Sequence, residues 1–278
     1  MKKILALVLS LVAVMTACFG LTACGKEDNQ EKIVDVTTKQ ITVGYTVYEP
    51  MNYTEDNVFK GFDTELALMV FNSLGYDVRF KLIDWSNKYV ELNGNTIDCI
   101  WNGFTSNGSD EINGVDTPRD ALVDFSYNYM QNAQCILKKK TAPAITSASD
   151  LQGKIIAFEN GSAGESLVDT FAKDTTLMKS GATDQMSAIT KLNNGAADYA
   201  IVDIILAQSI LDSYTNLEIN QGIEIDVEYY AIGFKKNSEL TAKVNVMLEA
   251  FAKTGQLQEL ANKYNVGTMV ITDFTSQK

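Results

Sequence analysis

The chain reads as an α/β protein of two lobes with a ligand-sized cleft between them, and three observations predict it. Strand-like and helix-like periodicities alternate from Ile41 to Trp101. The same alternation restarts near Asp150. Two extended apolar segments, Gln134–Lys140 and Glu228–Lys235, are spaced to carry the chain out to the second unit and back again. Strands that alternate with helices make a parallel or mixed sheet with helices on its faces. A double crossing returns the C-terminal helices to the first unit and leaves a cleft between units, the usual place for a small ligand.

Taken in order, Ile41, Val43 and Tyr45 alternate with Thr42, Gly44 and Thr46, which is strand periodicity. Gly61-Phe62-Asp63 opens a helix with Asp63 as the expected N-cap. Leu66, Met69, Val70 and Leu74 share one face and Gly75 ends it. Val78, Phe80 and Leu82 predict a strand, then come a helix through Tyr89 and Leu92 and a strand over Ile97–Trp101. In the second unit, Ile155–Phe158 is a strand and Asn160–Gly164 a turn into a helix. Asp184 caps another helix that stops at Gly195, and Tyr199–Val202 is a short strand ending at Asp203. Two helices close the chain, one carrying Leu240, Val244, Met247 and Phe251, the other Leu257, Leu260 and Tyr264.

The first residues address the protein. Lys2 and Lys3 precede an apolar run from Ile4 to Ala17, too short for a membrane span and built like an export signal. Leu21-Thr22-Ala23-Cys24 looks like a lipobox, so Cys24 is the expected first mature residue and lipidation site. The alternative is an ordinary secretory signal with an incidental cysteine. Residues 1–23 are then the signal and residues 24–39, polar and charged, a flexible tether. The net charge of −12 becomes −14 once Lys2 and Lys3 are removed, which argues against nucleic acid or anionic lipid as a partner. Cys99 and Cys135 remain. They could pair, but each lies in an apolar strand-like stretch, which favours two buried thiols. There is no histidine, so the commonest general base and the commonest zinc ligand are missing, and no metal or cofactor is expected.

One ordered set of short motifs carries a family resemblance. It comprises Ile41-Thr42-Val43-Gly44, Tyr48-Glu49-Pro50, Gly61-Phe62-Asp63, Ile83-Asp84-Trp85 and Ile97-Asp98-Cys99-Ile100-Trp101-Asn102-Gly103-Phe104-Thr105. It continues with Thr117-Pro118-Arg119, Val123-Asp124-Phe125-Ser126, Asp150-Leu151-Gln152-Gly153-Lys154, Gly161-Ser162 and Ala200-Ile201-Val202-Asp203. The chain thereby resembles the family 3 extracytoplasmic solute-binding proteins of ABC importers, in the branch for polar amino acids. The resemblance implies a two-lobed, type II periplasmic-binding-protein-like fold. Lobe 1 would be residues 40–133 plus 234–278 and lobe 2 residues 134–233. It also implies a lipid-anchored monomer on the outer face of the cell membrane, which passes an amino acid to a permease driven by a separate ATPase subunit.

The chemistry of such a ligand selects residue types. A carboxylate suits the planar fork of arginine. Of the two arginines, Arg79 sits in an alternating strand and is expected to face solvent, whereas the resemblance makes Arg119 the carboxylate clamp. Ser162, at a helix start, offers donors to the same carboxylate, or is a plain turn serine. Asp203 at a strand end is implied as the partner of the α-ammonium, or is only a helix cap. The resemblance adds the Gly103 carbonyl and the Thr105 hydroxyl as contacts to the ligand backbone. It makes Tyr48 and Trp85 the walls around its side chain, the alternative being core aromatics. Asn102 and Glu159 then stand at the side-chain tip.

One stretch departs from the pattern. Residues 106–116 stand where the family has a short link, and their Gly, Asn and Asp content predicts a loop. It either lies outside the cleft, or moves Arg119, or forms a lip over the ligand. Two other function classes stay in view: a dehydratase-like enzyme, for which Glu159 is the available acid or base, and a free-standing sensor.

Overall fold

The computed structural model describes residues 39–277. The export signal, Cys24 and, apart from Lys39, the tether lie outside the described residues. In chain order, β1 (Lys39–Tyr45) leads to a small ribbon of β2 (Tyr53–Glu55) and β3 (Val58–Lys60), then α1 (Phe62–Ser73) and β4 (Tyr76–Leu82). A 3-10 turn at Trp85–Asn87 and α2 (Lys88–Asn93) precede β5 (Cys99–Ile100). A hairpin of β6 (Ser109–Ile112) and β7 (Val115–Pro118) runs into α3 (Arg119–Leu122) and β8 (Asp124–Phe125). The second unit holds β9 (Met130–Lys139), β10 (Ile155–Glu159), α4 (Ala163–Ala172), β11 (Met178–Ala182) and α5 (Gln185–Asn194). It continues with β12 (Tyr199–Asp203), α6 (Ile204–Ile210), β13 (Leu217–Ile219) and β14 (Val227–Tyr230). The chain closes with β15 (Gly233–Phe234), α7 (Glu239–Lys253) and α8 (Gln256–Lys263).

These strands form two mixed sheets, one per lobe. The first has the order β4-β1-β5-β15-β8, with β1 parallel to β4 and β5 and with β15 antiparallel to β5 and β8. The second has the order β11-β10-β12-β9-β13, and β14 pairs with the other end of β9. The chain leaves the first sheet after Phe125, enters the second at Met130, and returns between Tyr230 and Gly233. Helices α7 and α8 pack on α1. Apolar strand faces drive this arrangement: Ile41, Val43, Leu137, Ala200 and Val202 are fully buried. Cys99 and Cys135 are buried, unpaired thiols. Among the described residues, no helix is long and apolar enough to cross a membrane.

Two expectations change. Asp63 does not cap α1. Gly61 takes that place, and the buried Asp63 carboxylate instead accepts a bond from the Gly103 amide at 2.8 Å. The stretch 106–116 is not an irregular loop, because residues 109–118 form the β6–β7 hairpin, with Ile112 opposite Val115.

The cap of α5 is as the sequence predicts, with Asp184 Oδ1 accepting from the Ser187 amide at 2.7 Å. Loss of such a cap costs about 1 kcal/mol. Asp184→Ala should therefore lower the melting temperature by about 2–4 °C, checked by calorimetry. An unchanged midpoint would show that the cap is idle.

Candidate ligand-binding site

The candidate residues other than Arg119 sit at or just after the C-terminal ends of parallel strands, where ligands of open α/β sheets sit. Tyr48 follows β1, Trp85 follows β4, and Asn102, Gly103 and Thr105 follow β5. Glu159 ends β10, Ser162 precedes α4, and Asp203 ends β12. Arg119 opens α3 behind the hairpin. All nine are buried. Bonds between the two lobes close the cleft: Lys88 Nζ donates to the Gly161 carbonyl at 2.8 Å, Ser166 Oγ to the Ser109 carbonyl at 3.2 Å, and Ser209 Oγ to the Glu49 carbonyl at 3.1 Å.

Strand register builds the acidic centre. Asp203 stands opposite Gln134, and Glu228 opposite Asn132. Residues 132 and 134 are two apart on β9, so all four side chains share one face. Asn132 Nδ2 donates to Asp203 Oδ1 at 2.5 Å and to Glu228 Oε2 at 3.1 Å. Gln134 Nε2 donates to the same two oxygens at 2.8 and 3.1 Å. The Gln185 amide group donates to Asp203 Oδ2 and accepts from the Asp203 amide at 2.9 Å, while Thr105 Oγ1 donates to Glu228 Oε2 at 3.2 Å. Although Asp203 is the N-cap of α6 by position, its carboxylate caps nothing and is turned to these amides. Burial raises both carboxyls, and Asp203's charge adds to the rise of Glu228, which reaches about 7. Among the described residues neither has a lysine or arginine nitrogen within 4 Å.

Glu159 is a third buried acid. Its Oε1 has no hydrogen-bond partner. Burial, then the charges of Asp203 and Asp184, push its carboxyl well above the usual range. Ser162 serves as the α4 cap: its hydroxyl accepts from the Glu165 amide and donates to the Glu159 carbonyl at 2.7 Å. The Asn102 amide group is spent on Thr46 and Asn52. Tyr48 OH lies 2.8 Å from Tyr230 OH, and Trp85 meets Phe104 edge-on at 5.4 Å. Gly103, at φ +57°, leaves no room for a side chain, since a Cβ there would lie 2.7 Å from Tyr48 Cε1.

Arg119 is 1% exposed and already engaged. Its Nε and Nη2 reach Asp110 Oδ1 at 3.2 and 2.8 Å, and its Nη1 donates to the Thr105 carbonyl at 3.1 Å. Asp110 Oδ2 also receives Tyr89 OH at 2.6 Å and Lys88 Nζ at 3.2 Å. Burial alone would raise the Asp110 carboxyl; Arg119 and Lys88 more than reverse this and hold it below its ordinary value.

Residues 41–267 match the family described as bacterial extracellular solute-binding proteins, family 3. The chain belongs to that family. The arginine-binding extracellular protein ArtP of Bacillus subtilis (strain 168) is 27% identical to it, over 92% of this chain and 98% of that one. An ancestral arginine-binding protein bound to arginine superposes with a TM-score of 0.73 at 29% identity, covering 81% of this chain and 97% of that one. A histidine-bound ABC uptake transporter substrate-binding protein from Streptococcus pneumoniae gives 0.72 at 28% identity, covering 82% and 93%. The fold is therefore the two-lobed fold of these family 3 binding proteins.

A cavity of about 640 Å³ lies on the flank of the cleft, between the hairpin, α4 and residues 224–228. Thr105, Arg119, Gln134 and Glu228 line it, but Tyr48, Trp85, Glu159 and Asp203 do not. The site is better defined by the converging buried polar groups than by this opening, because they hold the charge that has no partner. Sequence reasoning missed Lys88, Asp110, Asn132, Gln134, Gln185, Glu228 and Tyr230. Two signals could have found some of them. Asn132 and Gln134 are polar at a two-residue spacing in an otherwise apolar strand. Asn113-Gly114 between Ile112 and Val115 is the signature of a two-residue hairpin, and both residues have positive φ, 53° and 79°.

A raised carboxyl makes stability depend on pH. Glu228 is protonated more readily folded than unfolded, so its contribution is fully present below pH 4.5 and is lost as pH rises to about 7. Glu228→Gln should raise stability at pH 8.5 by on the order of 2 kcal/mol and change little at pH 4.5. Thermal unfolding at both values checks this, and an equal difference at both would refute it.

Proposed function

We propose that the protein is the extracytoplasmic substrate-binding component of an amino-acid ABC importer, anchored by lipid on Cys24. In this reading it takes a polar amino acid between residues 40–133 plus 234–278 and residues 134–233, as a monomer. The closed form then docks on a permease whose partner subunit hydrolyses ATP. The observation that carries the reading is the Asp203–Glu228 pair: two buried carboxylates at strand ends, held by neutral amides and without a cation. An α-ammonium placed there supplies the missing charge. Arg119 takes the carboxylate, Tyr48 and Trp85 flank the side chain, and the unpartnered Oε1 of Glu159 receives its tip. The ligands bound in two structural relatives, arginine and histidine, agree with this division of charge. Closure is a hinge motion at the two short crossings, 125–130 and 230–233. We infer binding rather than catalysis: the dehydratase-like alternative would rest on Glu159 alone, and a bound amino acid recovered chemically unchanged would separate the two. A sensor would bind the same ligand but pass it to no permease.

Thermal unfolding of residues 26–278 against the twenty amino acids, cystine and ornithine tests the reading. A true ligand at a hundredfold excess over its Kd should stabilise by about 2.7 kcal/mol. Arg119→Ala and Asp203→Ala should abolish the shift, and no shift with any compound would overturn the receptor. Cys24→Ser should move the protein from the membrane fraction to the soluble one; retention on the membrane would overturn the anchor.

A further inference from the structure

We propose that Asp110 is a specificity-determining residue: a carboxylate of the chain itself that competes with the ligand's carboxylate for Arg119. The inference rests on the receptor reading above. Three observations carry it. Four donors around the proposed carboxylate subsite converge on Asp110, with Arg119 Nε and Nη2 on one oxygen and Tyr89 OH and Lys88 Nζ on the other. This is the coordination that a ligand carboxylate would seek. Asp110 lies in the hairpin and within residues 106–116, the stretch by which the sequence departs from the resemblance. Finally, β6 and β7 pair only with each other and join neither large sheet. A lone two-stranded ribbon has little stability of its own, so the hairpin can yield while both lobes stay intact.

Its fastenings agree with a displaceable element. The Arg119 amide donates to the Gly108 carbonyl at 3.0 Å, and Ser166 Oγ donates to the Ser109 carbonyl across the cleft, while Asn107 just before the hairpin is pinned to Val227 and Tyr229 of β14 and gives the hairpin a fixed base to swing on. A tethered group competes at an effective concentration in the millimolar range. An amino acid must outbid Asp110 to reach Arg119, whereas an amine with the same side chain has nothing to displace. Wild-type protein should therefore discriminate poorly between an amino acid and its decarboxylated amine.

The test measures calorimetric Kd values on the full mature chain for L-arginine against agmatine, L-histidine against histamine, and any other amino acid that stabilises the protein against its own amine. Asp110→Asn keeps the shape and removes the charge. It should tighten amino-acid binding about tenfold or more and leave amine binding within about twofold. Tyr89→Phe removes one bond to Asp110 and keeps the fold even if Asp110→Asn does not; it should shift amino-acid affinity in the same direction by a few-fold. If Asp110 instead orients Arg119, both variants weaken amino-acid binding, and that result overturns the proposal. Unchanged amino-acid affinity in both variants overturns it as well. If no amino acid binds wild type or either variant, the receptor reading itself has failed and the inference falls with it.

Discussion

The structure depends on β9. Ten residues long, it pairs with β12 and β13 at its C-terminal end and with β14 at its N-terminal end, and all three partners run antiparallel to it. One strand thus joins three partners of the second sheet and makes the outgoing crossing from the first. The same register brings two carboxylates to one face, against Asn132 and Gln134. The neutral amides satisfy the lone pairs of Asp203 and Glu228 without cancelling their charge. A buried hydrogen-bonded acid without a counter-ion is costly, and burial accordingly lifts both carboxyls, with the charge of Asp203 lifting Glu228 further.

In the proposed reading, that cost is the source of the cleft's selectivity. Opening the lobes hydrates the acids and relieves it; closing them on a cation relieves it as well, by charge. A ligand shifts an open–closed equilibrium only by its differential affinity for the two states, and an ammonium at Asp203–Glu228 has such a difference. At the other end of the cleft the sign is reversed and the balance already struck, since Arg119 and Lys88 share Asp110. Burial draws Lys88 down to about 8 against the pull of Asp110, so this cation too is held at some expense. The two ends therefore differ: one lacks a counter-charge and the other carries its own.

Much of the fold was legible in the sequence because its signals are local. Period-two alternation at Ile41–Tyr45, the cap at Asp184 and the stop at Gly195 are each decided by neighbouring residues, and β1 and α5 follow them. Asp63 was misread because a cap preference within one turn lost to a distant amide, that of Gly103. The site was legible in part, as residue types at strand ends. Its electrostatics were not, because Gln185, Glu228 and Tyr230 reach Asp203 and Tyr48 only through register and crossing, which no short window contains. The hairpin was missed for another reason: polar residues suggested a loop, although Asn113-Gly114 already specified the turn.

The hairpin also shows how a binding protein can change its chemistry without changing its fold. The two sheets fix Asp203, Glu228 and Glu159 through ladders that tolerate little movement. Residues 109–118 hang outside both sheets, so inserting them costs mainly loop entropy, which grows slowly with length. Yet the base of the ribbon delivers the charge of Asp110 to Arg119, the most buried cation of the cleft. In the proposed reading, a rigid frame holds the ammonium end constant while a pliable ribbon sets what the carboxylate end accepts. That division lets ligand preference move by substitution at one hairpin position, with Asp203, Arg119 and the β9 register untouched.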